Sequence, residues 1–82
     1  MENVCLLAAH DPWLIQLFRI YAEEGGFTVV QAFESQDVLP LALSRKPEFI
    51  LLQMDLAGTL KGLELLDAIR AHPMLARVVL LL

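Results

Sequence analysis

The stretch Phe49-Ile50-Leu51-Leu52-Gln53 decides the fold. Four apolar residues in an unbroken run, after Pro47 and before a turn through Asp55-Leu56-Ala57-Gly58, are of the kind found in a strand buried on both faces. Such strands belong to parallel sheets covered by helices. Working back toward the N-terminus, Ser35 is an N-cap candidate for a helix carrying Val38, Leu39, Leu41, Ala42 and Leu43. Pro40 falls about a turn inside that helix and predicts a late start or a bend. Before it, Phe27 to Ala32, with Thr28, Val29 and Val30, reads as a strand. Gly25-Gly26 supplies a helix stop able to take the left-handed conformation. The helix it ends starts at Asp11-Pro12, an N-cap followed by a first-turn proline, and repeats Leu14, Leu17, Phe18 and Tyr21, with Trp13 and Ile20 widening the apolar face. Val4 to Ala9 is the first strand.

Toward the C-terminus, Leu63, Leu65, Leu66 and Ile69 mark a third helix ended by His72-Pro73, and Val78 to Leu82 is a fourth strand of buried type. The order is βαβαβαβ. Strands alternating with helices of this length predict a doubly wound α/β domain over residues 1–82, a parallel sheet with helices on both faces and right-handed crossovers.

Of the 82 residues 57% are hydrophobic and 20% charged, with mean hydropathy +0.60, which excludes a disordered chain. The apolar excess is more than a small soluble domain normally carries, so some apolar surface is expected to stay uncovered. No apolar stretch approaches the ~18 residues of a membrane span. Glu2 and the lack of a basic leader point to the cytoplasm. Six basic residues scattered among ten acids form no basic stripe, so direct nucleic-acid binding by this segment is not expected. A lone cysteine, Cys5, inside an apolar strand reads as a small core residue.

Taken in order, Val4 to Pro12, Glu23 to Ala32, Lys46 to Leu52 and Leu56 to Leu66 resemble the response-regulator receiver domains of two-component signalling. The resemblance implies a CheY-like, flavodoxin-like sheet of order 2-1-3-4, with the site at the carboxyl ends of the central strands. It also implies a further helix, strand and helix that would follow Leu82, so the segment is expected to be a partial receiver. In that family a phosphoryl group passes from a histidine kinase to an aspartate at the end of the third strand, with Mg²⁺ held partly by two acids after the first. Carried onto this chain, the acid pair falls on Ala9 and His10, and the acceptor on Gln53. All three depart from the pattern. A methyl group binds no cation, an imidazole suits zinc or copper better than magnesium, and a neutral amide is a very poor nucleophile. The expectation is a degenerate, non-catalytic receiver-like module that has lost Mg²⁺ and works through protein contacts.

Asp55 is the alternative acceptor. Two residues beyond Gln53 along an extended strand it lies about 6.5 Å further on, so it would need a backbone rearrangement. A turn residue is the simpler reading. A flavodoxin-like small-ligand site is a second alternative, but Gly58 and Gly62 complete neither a dinucleotide fingerprint nor a P-loop. No nucleophile-base or carboxylate pair converges there, so no enzyme activity is expected. Asp11 reads as a helix cap, His72 as a residue at a helix end, and Trp13 as packing over the strand ends. The edge Val78-Val79-Leu80-Leu81-Leu82 is a template for strand pairing, which predicts a homo-oligomer through that edge or through helix one.

Overall fold

In the computed structural model, residues 3–53, 58, 61–72 and 77–81 are described, with residues 62 and 77–81 described by their backbone. Among the described residues four strands, β1 (Val4–Ala8), β2 (Thr28–Ala32), β3 (Phe49–Gln53) and β4 (Arg77–Leu81), alternate with three helices, α1 (Pro12–Glu24), α2 (Ser35–Arg45) and α3 (Gly62–Arg70). All pairings are parallel and the strand order is β2-β1-β3-β4, as the alternation requires. Cys5 pairs with Phe49 and Ala8 with Leu52, so the carboxyl ends of β1 and β3 lie side by side.

Side-chain alternation splits the core into two layers. Leu6, Ala8, Ala32, Ile50 and Leu52 meet Val38 and Ala42 of α2 and Leu65 and Ile69 of α3 on one face. Cys5, Leu7, Ala9 and Leu51 meet Ala22 of α1 on the other, with Ile15, Phe18, Phe27, Val29 and Phe49 packed around them. Phe27 and Phe49 close this second layer edge to face, with ring centroids 4.8 Å apart. Burial pushes the Cys5 thiol up to about 11, so at neutral pH it is an uncharged core group.

Several boundaries differ from the sequence expectation. β3 includes Gln53, one residue beyond the apolar run, because pairing with β4 continues to Leu81. β4 begins at Arg77, and Leu82 lies outside the described residues. α2 starts at Ser35 with Glu34 as its cap residue and runs through Pro40, without the late start the proline suggests. Pro40 is exposed, so its ring displaces no core side chain. The α1 stripe is Ile15, Phe18 and Ala22, while Trp13 and Tyr21 point outward. Apolar residues surround so much of this helix that periodicity alone does not choose the buried stripe.

Candidate functional site

Every strand of a parallel sheet ends on the same side, so the residues that follow β1 and β2 lie at the same end of the sheet as Gln53, the last residue of β3. The segment after β1 is fixed first. Asp11 accepts from the Trp13 and Leu14 N–H groups through Oδ1, at 2.9 and 3.4 Å, and Pro12 opens the helix without needing a donor. The cap reading of Asp11 therefore holds in the structure.

Gln53 stands at the end of β3 with its side chain 7% exposed. Its Oε1 accepts the His10 N–H at 3.1 Å and the Asp11 N–H at 3.3 Å. These two donors belong to the turn between β1 and α1, where the chain has left the sheet and its N–H groups need other partners. Beside them Ala9 is fully buried, its methyl group in the core layer under α1, while the His10 side chain is exposed. Asp55 lies outside the described residues.

Gly58 also lies at this end of the molecule. Gly58 takes φ 140° and sits against Ser35 and Gln36, the first residues of α2. Only a glycine tolerates a positive φ at so close an approach to the start of α2. Around the same end stand Trp13 in the first turn of α1, Phe33 just after β2 and Leu63 in the first turn of α3, respectively 73%, 65% and 67% exposed. Packing of Trp13 over the strand ends, the simpler sequence reading, is thus corrected. Sequence reasoning also placed Leu63 on the buried face of α3 and gave Phe33 no role.

No protein-family model matches the sequence, and no curated protein matches it. Solved structures do match. The MaeR response regulator bound to beryllium trifluoride superposes with a TM-score of 0.80 at 26% identity, over 96% of this chain and 66% of that one. NtrX from Brucella abortus superposes with a TM-score of 0.81 at 28% identity, over 98% of this chain and 18% of its own. This chain has a response-regulator receiver fold. The signal receiver domain of a Luxo repressor protein from Vibrio parahaemolyticus shares that fold, with a TM-score of 0.83 at 20% identity over 98% of this chain. The chain spans 61% of the length of that domain.

In this receiver fold Gln53 occupies the position of the phosphoacceptor aspartate. Among the described residues, the groups around Gln53 do not suit the Mg²⁺ that receivers use. A hard cation wants several carboxylate or carbonyl oxygens, whereas here Ala9 supplies a methyl group and the Gln53 oxygen is engaged by two backbone donors. Among the described residues no three His, Cys, Asp or Glu side chains come together to hold a metal ion. Among those residues, too, no helix is long and apolar enough to cross a membrane.

Proposed function

We propose that this chain is a receiver-like signalling module that acts through protein contacts, without phosphorylation at its third-strand site and without enzymatic activity. The observation that carries this reading is Gln53, an amide in the acceptor's place whose oxygen is held by the His10 and Asp11 N–H groups. An amide gives no acyl phosphate under the conditions that phosphorylate a carboxylate. Ala9 and His10 replace the acid pair in this proposal, so the site also lacks the charge that would draw a cation. Trp13, Phe33 and Leu63, exposed at the strand ends, offer apolar surface for a protein partner.

Incubation of the full chain with acetyl phosphate and Mg²⁺, followed by intact-mass measurement, tests this. The expected spectrum shows unmodified protein alone. A stable adduct with the mass of one phosphoryl group rejects the proposal, and its mapping to Asp55 establishes the unorthodox acceptor.

Self-association is the second part of the proposal. Among the described strands β4 stands at one edge of the sheet, and α1 exposes Ile20 as well as Tyr21, which lines a groove of about 220 Å³ with Phe18, Ala22, Gly25, Phe27, Phe49 and Leu51. Open strand edges and apolar helix faces favour pairing of identical chains. Sedimentation velocity at micromolar concentration is expected to show a dimer or larger species. A single monomeric boundary across that range overturns it.

A further inference from the structure

We propose that Gln53 is a positioning residue: its carboxamide oxygen clasps the β1–α1 turn to the end of β3 and holds the site closed without a metal ion or a phosphoryl group. The inference rests on the geometry of the turn, not on the identity of any signalling partner, and its experiment fails or succeeds separately from the phosphorylation assay.

The chain of contacts runs from the centre of the sheet to the surface. Gln53 Oε1 accepts from His10 and Asp11, which fixes the backbone on both sides of the peptide joining them. Asp11 then accepts from Trp13 and Leu14 through its side chain, and its carbonyl accepts the Ile15 N–H at 3.0 Å. One buried amide oxygen thus sets the starting point of α1 and the placement of the exposed Trp13.

Side-chain length matters. Asparagine would place its oxygen about 1.5 Å, one carbon-carbon bond, short of where Gln53 puts it. A nonpolar residue such as leucine offers no acceptor, and removes the Gln53 bonds to both turn N–H groups. Glutamate keeps the length and presents two acceptor oxygens, and hydrogen bonds from N–H groups to a carboxylate are stronger than those to an amide. The three substitutions therefore separate acceptor loss from mere loss of side-chain volume.

Backbone amide hydrogen exchange, followed residue by residue by NMR on the ¹⁵N-labelled full chain, reads the clasp directly. In wild type the His10 and Asp11 amides are expected to be protected, with no change on adding millimolar Mg²⁺. Gln53→Leu is expected to speed their exchange about tenfold, the loss of one ordinary net hydrogen bond, while amides in the middle of β1 and β3 keep their rates. Gln53→Asn follows Gln53→Leu, and Gln53→Glu restores protection. Equal exchange in wild type and Gln53→Leu overturns the proposal, as does Gln53→Glu behaving like Gln53→Leu. Should Gln53→Leu fail to fold, the wild-type experiment still decides: unprotected His10 and Asp11 amides, or a shift of these amides with Mg²⁺, refutes a closed clasp.

Discussion

Replacing Leu52 with alanine is expected to lower the unfolding free energy by about 2–5 kcal/mol, read as a fall in the urea midpoint at unchanged slope. Leu52 is fully buried in the layer that joins β1 and β3 to α2 and α3. Removing three carbons there loses the transfer energy of the side chain and leaves a cavity that a parallel sheet, pinned on both sides, fills poorly. A domain of this size holds about 4–12 kcal/mol in total. The substitution therefore takes a large share of the stability, and a change below about 1 kcal/mol would show that this layer is not packed as described.

Gly58→Ala has the next largest expected effect. At φ 140° an L-residue carries about 1–3 kcal/mol of backbone strain. The new Cβ would also lie 2.6 Å from the Ser35 backbone nitrogen, and closer still to Ser35 Oγ and Gln36 Oε1. Ser35 is itself buried and begins α2, so relief requires moving a helix start or residue 58 itself, an overpacking cost of about 1–3 kcal/mol more. Gly26→Ala is the control, because Gly26 has φ 87° with nothing within 4 Å of its added Cβ. Thermal melts of the two variants should differ by the clash, with Gly58→Ala the lower. Equal melting temperatures would mean that Gly58 does not sit against the start of α2.

How much was legible in the sequence follows from the kind of signal each residue gives. Phe49 to Leu52 announced a buried strand because continuous apolar residues need cover on both sides, and the structure places Ile50 and Leu52 in one layer and Leu51 in the other. Asp11-Pro12 announced its cap because the bonding lies within four residues. Gln53 was singled out by position, yet its bonds to His10 and Asp11 span more than forty residues and use backbone donors, which every sequence possesses. Nothing in the identities of His10 or Asp11 records that their N–H groups face β3.

The exposed aromatics were misread for a related reason. On α1 an apolar residue occurs at nearly every turn position, so Leu14, Leu17, Phe18 and Tyr21 form as good a stripe as Ile15, Phe18 and Ala22. The choice between them depends on which side of the helix the sheet lies, a long-range fact. Trp13 and Leu63 belong to first turns that project past the strand ends, where hydrophobicity does not guarantee cover.

Sequence alone determined the succession of strands and helices, the parallel sheet, the capping of α1 and the amide at the third-strand position. Each follows from local spacing or from the chemistry of one side chain. Tertiary structure alone decided which stripe of α1 is buried, which apolar residues stay in water, and that the Gln53 oxygen meets the β1–α1 turn. These depend on segments brought together only when β1 and β3 pair, because burial and hydrogen bonding between distant segments exist only once the chain has closed on itself.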